Sequence, residues 1–218
     1  MESVLKKELF DKGYISFKLK DFDETLHDEL IKLFPLNELV PEKFKNLRNS
    51  IIELKKPSPY LENITNKSFS ELEEIKKDIL KNYTNGIDNS LNQIWYFIPP
   101  IYPTDSFNKI LKPLMHYFYD YDMKQCQSDI TMYNDGCFLI NHQDAIADID
   151  ERKGHCVILI YLSTDYEKGK GGELIIGNEL EVEPIFGNVA IMDFTKHNPE
   201  HAVREVNGYN RFCYINFC

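Results

Sequence analysis

The residues of this chain best suited to chemistry are His142, Asp144, His201 and Arg211. In an extended or gently turning backbone, side chains two positions apart point the same way, so His142 and Asp144 can reach one metal ion. A third ligand has to come from elsewhere. His201 is the first candidate, and His197, four residues before it, is the rival. Two imidazole nitrogens and one carboxylate on one face of an octahedron suit non-haem Fe(II) and leave positions open for substrate and dioxygen. A His-x-Asp triplet also arises by chance, and the same pair would serve a polar turn.

Arg211 lies ten residues after His201. A guanidinium gives a paired, permanently charged grip on a carboxylate, so an anionic co-substrate is its natural ligand. On an alternating strand Arg211 shares a face with Cys213, Ile215 and Phe217, a charge among apolar neighbours that needs a partner. A strand-start arginine facing solvent is the bland alternative. Arg204 is the other nearby cation and is expected to point away from His201 into water.

The elements that position these groups follow from periodicity. After Asp122 the hydrophobic pattern alternates, giving strands around Ile130 and Met132 and around Phe138 and Ile140, on either side of an Asn134-Asp135-Gly136 turn. The run Cys156 to Leu162 is almost wholly apolar, as a strand buried on both faces requires, and Val157, Leu159 and Tyr161 would share its inward face. Glu173 to Ile176, Val189 to Asp193, Ala202 to Val206 and Arg211 to Phe217 continue the series, with glycine turns between. Many short strands of this kind favour a sandwich or jelly roll.

From about Cys126 to Cys218 the chain resembles the catalytic half of the 2-oxoglutarate and Fe(II)-dependent oxygenases, closest to their prolyl 4-hydroxylase-like branch. The matched pieces are Tyr133-Asn134-Asp135-Gly136, His142-Gln143-Asp144, Tyr161-Leu162, Gly171-Gly172-Glu173-Leu174, Pro184 with Gly187, His201-Ala202-Val203 and Arg211. The resemblance implies an α+β fold, a double-stranded β-helix (jelly-roll) core with supporting N-terminal helices, within one domain over residues 1–218. Residues 1–125 would be mainly helical support and 126–218 the catalytic half. It implies His142, Asp144 and His201 as the iron triad and Arg211, Tyr161 and Tyr133 as the residues around the co-substrate, 2-oxoglutarate. Ascorbate is a further candidate cofactor. The implied reaction hydroxylates a protein or peptide side chain, prolyl first, with release of succinate and carbon dioxide. Hydroxylation of a free amino acid or other metabolite, or a jelly-roll binding module without catalysis, are the competing readings. Ala145 to Gly154 would border the substrate entrance or be a solvated connection. Lys168 to Gly172 is glycine-rich but lies between strands and is not a phosphate loop.

Upstream, Leu26, Leu30, Leu33 and Phe34 fall at helical spacing before Pro35. Val40 to Asn66 reads as loop or short strand, and Ser70 to about Gly86 as a capped helix. Ile94 to Tyr102 suggests a strand running into a proline-rich loop, as ordinary packing or as a wall of a substrate groove. Asp105 to Tyr119 carries a helical apolar face, with Pro113 expected to kink it or start a second helix.

Composition sets the outer bounds. In 218 residues the formal net charge is −10, which argues against a general nucleic-acid surface. A second arginine six residues after the first, expected of nucleic-acid demethylases in the same superfamily, is here Phe217. The five cysteines form no Cys-x-x-Cys pair, so neither a disulfide framework nor a zinc site is indicated. The charged start and the lack of a long apolar run point to a soluble intracellular protein, cytoplasmic or nuclear, without a membrane segment.

Overall fold

The structure is a computed structural model and describes residues 2–33, 49–51, 95–98, 104–119, 128–133, 135, 138–143, 156–177, 179–194 and 197–217. Helix α1 (Glu2–Lys12) leads into strand β1 (Tyr14–Lys18), then α2 (Leu19–Phe22) and α3 (Glu24–Leu33). Strands β2 (Asn49–Ile51) and β3 (Trp95–Ile98) precede α4 (Thr104–Tyr119). Eight strands follow: β4 (Ser128–Tyr133), β5 (Leu139–His142), β6 (Cys156–Tyr161), β7 (Leu174–Ile176), β8 (Leu180–Val182), β9 (Asn188–Asp193), β10 (His201–Val203) and β11 (Arg211–Phe217).

The strands form two antiparallel sheets. The larger runs β1-β9-β6-β11-β4-β3-β2 and the smaller β5-β10-β7-β8. The apolar run of β6 explains the layering, because it is buried on both faces. Cys156, Ile158 and Ile160 join Leu9, Leu26, Leu30 and the apolar stripe of α4 in a core beneath the helices. Val157, Leu159 and Tyr161 face the other way, into a second core shared with Leu139, Leu174, Ile176, Val182 and Val203 of the small sheet. Period-two alternation on one strand therefore serves two cores.

The α3 helix ends at Leu33 with Leu26 and Leu30 buried, as its spacing predicts. α4 differs from expectation by running unbroken through Pro113. Pro113 sits on the exposed side. The opposite face buries Phe107, Ile110, Leu111, Leu114, Met115 and Phe118, each worth about 1.5–3 kcal/mol. That burial outweighs the roughly 3 kcal/mol penalty of an internal proline.

Strands β4 and β5 belong to different sheets. β4 pairs with β11 and β3 in the large sheet, whereas β5 pairs with β10 in the small one. Asp135 Oδ1 accepts the Gly208 N–H at 2.6 Å, tying this sheet-switching turn to the turn that precedes β11. Strands β1 and β8 do not stand out in the sequence pattern. β1 pairs along its whole length with β9. Within the Val40 to Asn66 stretch, 49–51 form the short strand β2. The helix expected from Ser70 to Gly86 and the proline-rich loop after Ile98 lie outside the described residues.

Phe107 stacks on Tyr214 of β11, with ring centroids 3.7 Å apart and planes within 2°. Phe107→Ala is therefore expected to cost about 3–5 kcal/mol, read as a lower urea midpoint. Pro113→Ala, at an exposed helical position, is expected to raise stability by about 1–3 kcal/mol, read as a higher urea midpoint.

Candidate active site

Two of the three residues expected as metal ligands occupy paired strands. His201 opens β10 and His142 closes β5, and the two are direct cross-strand partners in register. The register then shifts by a bulge, so that Val203 opposes Leu139. His201 is 5% exposed. Its Nδ1 lies 3.1 Å from the carbonyl oxygen of Pro199, which only accepts, so Nδ1 carries a proton and, in the neutral imidazole, Nε2 carries the lone pair. Asp144 lies outside the described residues, as does the Ala145 to Gly154 segment. No group of three His, Cys, Asp or Glu side chains able to hold a metal is assembled among the described residues.

Two side-chain bonds bracket the histidine pair. Asn141 Nδ2 donates to Glu200 Oε2 at 2.9 Å, and Gln143 Nε2 donates to the Asn198 carbonyl at 3.0 Å. Asn198 takes a left-handed conformation, φ 38°, unusual outside glycine but tolerated by asparagine. Neither clamp was legible in the sequence, because each depends on which loop β5 meets. His197 is exposed, and its Nε2 lies 3.4 Å from the Phe10 carbonyl at the end of α1.

On the facing large sheet, Arg211 is 2% exposed. Its Nε donates to the Gly172 carbonyl at 2.8 Å. The guanidinium carbon lies 4.9 Å from the ring centre of Tyr133 and 5.0 Å from that of Tyr161, within cation–π range. Arg211 pairs directly with Tyr133 across β4, and Cys213 with Tyr161 across β6. Among the described residues no carboxylate lies within ion-pair distance of Arg211. The tyrosines hold its proton more firmly, so its pKa rises although burial alone would lower it. Arg204, by contrast, is exposed and donates to Glu181 at 2.8 Å.

Tyr161 is fully buried, and its hydroxyl has no hydrogen-bond partner among the described residues. Burial pushes its pKa well up, with the Arg211 charge opposing the rise. Burial likewise pushes the Cys213 thiol up to about 12 against the same charge. A buried cation without an anion beside an unsatisfied hydroxyl is a costly arrangement that an anionic ligand would relieve. The residues present therefore fit a carboxylate at Arg211.

The Gly171–Gly172 turn holds this centre. Both glycines have positive φ, 72° and 82°, and a Cβ on Gly172 would collide with the Tyr209 hydroxyl. Tyr209 donates to the Gly171 carbonyl at 2.8 Å. The glycine pair was visible in the sequence, but its tie to Arg211 appears only with the fold.

Residues 128–218 match the family model for the 2OG-Fe(II) oxygenase superfamily. This segment, fewer than half of the residues of the chain, is similar to that superfamily. It makes the catalytic class that of an oxygenase enzyme, and Fe(II) and 2-oxoglutarate are the metal and co-substrate the family implies. Among solved structures, a prolyl-4-hydroxylase from Pseudomonas putida is similar at TM-score 0.57 and 12% identity, covering 100% of this chain and 97% of its own. A prolyl hydroxylase from Trichoplax adhaerens, solved with a hypoxia inducible factor oxygen degradation domain peptide fragment, is similar at TM-score 0.58 and 13% identity, covering 99% and 87%. At these identities the likeness is one of fold. No curated protein sequence matches the chain. Among the described residues, no helix is long and apolar enough to cross a membrane.

Tyr161→Phe removes a buried hydroxyl that has no hydrogen-bond acceptor among the described residues. It is expected to stabilise the ligand-free protein by about 1 kcal/mol, measured by urea unfolding. A loss of stability instead would show that the hydroxyl is satisfied.

Proposed function

We propose that this chain is an Fe(II)- and 2-oxoglutarate-dependent dioxygenase that hydroxylates a protein or peptide side chain, with prolyl the first substrate to test. The observation that carries the reading is the buried Arg211 guanidinium beside the buried Tyr161 hydroxyl, the first without a carboxylate and the second without a hydrogen-bond acceptor among the described residues. A dicarboxylate offers that pair the charge and the acceptor they need. The opposed positions of His142 and His201 on the small sheet support the metal half of the reading, since directly opposite residues of an antiparallel pair lie on one face.

His142, Asp144 and His201 would hold the iron, with His201 presenting Nε2 because Pro199 engages Nδ1. A backbone acceptor of this kind orients a ligating imidazole and raises its basicity. His197, turned to Phe10, is the poorer ligand. Arg211 and Tyr161 would grip the distal carboxylate of 2-oxoglutarate, and Tyr133 would wall its other side. Bound iron and 2-oxoglutarate supply the oxidation, converting dioxygen and the co-substrate to succinate, carbon dioxide and one hydroxyl on the substrate. The apolar side chains between the sheets keep water from the reacting atoms.

From β4 to β11 consecutive strands change sheet at every step except β7 to β8, which supports reading the core as a double-stranded β-helix within one domain over residues 1–218. A peptide substrate is favoured by the fold likeness to prolyl hydroxylases, one of them peptide-bound.

Oxygen-free addition of 2-oxoglutarate to the Fe(II)-loaded protein is expected to give the visible charge-transfer band of the chelate. His142→Ala abolishes it, and Arg211→Ala raises the half-saturating co-substrate concentration about ten- to hundredfold. No band from folded wild-type protein with iron supplied would end the oxygenase reading. With air admitted, proline-containing peptides are expected to gain one oxygen by mass spectrometry. Oxidation of free amino acids but of no peptide would move the substrate to the small-molecule class.

A further inference from the structure

We infer that Tyr209 is a positioning residue which, acting through the Gly171–Gly172 turn, sets the depth at which Arg211 receives a carboxylate and so the length of 2-oxo diacid the site prefers. This rests on the reading of Arg211 as the co-substrate anchor.

Two hydrogen bonds to consecutive carbonyls of one turn carry the inference. Tyr209 Oη donates to the Gly171 oxygen and Arg211 Nε to the Gly172 oxygen, both at 2.8 Å. Tyr209 and Arg211 stand two residues apart at the entry to β11, and the space a Cβ on Gly172 would need is taken by the Tyr209 hydroxyl and by Arg211 Cδ, the latter 3.2 Å away. The turn is thus held by the phenol and in turn holds the guanidinium.

Tyr209 is itself anchored. It is 6% exposed. Its ring meets Tyr166 edge-on at 5.9 Å, and the Tyr166 hydroxyl donates to Glu173 Oε1 at 2.8 Å. On the far side of Gly171, a Cβ would collide with the Glu205 carbonyl, so the turn has little room to shift.

The consequence falls on Arg211. With Nε–H committed to Gly172, the guanidinium plane is fixed and the terminal nitrogens present their donors at one depth. A lysine has no Nε to engage the carbonyl, and its single ammonium rotates freely. A fixed depth discriminates diacids by length, because the end of the co-substrate bound to metal is fixed as well.

The test is oxygen-free titration of Fe(II)-loaded wild type, Tyr209→Phe and Arg211→Lys with 2-oxoglutarate and with the 2-oxo diacids one carbon shorter and longer, followed by the chelate band. Tyr209→Phe keeps the ring and loses the hydroxyl. It is expected to weaken 2-oxoglutarate about tenfold, the loss of one buried hydrogen bond, and to narrow the preference over the longer diacid, with Fe(II) affinity unchanged. Arg211→Lys is expected to weaken 2-oxoglutarate further rather than rescue binding. Unchanged affinity and diacid preference in Tyr209→Phe, or wild-type binding by Arg211→Lys, would overturn the inference. Should Tyr209→Phe fail to fold by circular dichroism, Arg211→Lys decides alone. Absence of binding by wild type would instead sink the co-substrate reading, and this inference with it.

Discussion

A charge held between two sheets, with no carboxylate beside it among the described residues, is the constraint on which this structure depends. Arg211 sits at the start of β11 among side chains that are otherwise apolar or aromatic. Taking a guanidinium out of water costs several kcal/mol unless hydrogen bonds and charges compensate. One backbone carbonyl and two tyrosine faces compensate in part. Among the described residues, what is missing is an anion. The shortfall makes sense if the ligand-free fold is built for a bound carboxylate, with stability given up where binding recovers it.

The rest of the architecture holds that charge in place. The large sheet is stiffened from behind by α1, α3 and α4, whose buried faces meet alternate residues of β6, β9 and β11. From the front it is closed by the small sheet, which brings β10 and β5 over the same core. Strands on the two sheets are linked by short turns pinned by side chains, such as Asp135 to Gly208 and Tyr209 to Gly171. Such pinning matters because a misplacement of about 1 Å at a reacting centre can cost on the order of a hundredfold in rate.

Much of this was legible in the sequence, and for physical reasons. The apolar run of β6 could only be a strand covered on both faces, and the placement of Arg211, Cys213, Ile215 and Phe217 on one face followed from alternation alone. The order of the motifs in the second half carried the family. What periodicity could not carry was pairing. β8 spans only Leu180–Val182, with Glu181 exposed, too short to show a pattern. β1 lies between two helical runs and reads as a strand only through its partnership with β9. β4 is followed by turn-forming residues, yet β5 lies in the other sheet, a pairing that local sequence does not encode. The Gly172 acceptor and the Tyr209 clamp are contacts across some 39 and 38 residues of chain, beyond any local signal. His201 and His197 likewise differ in their tertiary partners, Pro199 for one and Phe10 for the other.

The most direct measurement is an oxygen-free crystal structure with 2-oxoglutarate and Mn(II), a redox-inert substitute for Fe(II). Metal held by His142, Asp144 and His201, with the distal carboxylate on Arg211 and within reach of the Tyr161 hydroxyl, is the result expected. Metal on His197 or at another site, or a co-substrate whose carboxylates leave Arg211 without an anion, would contradict it.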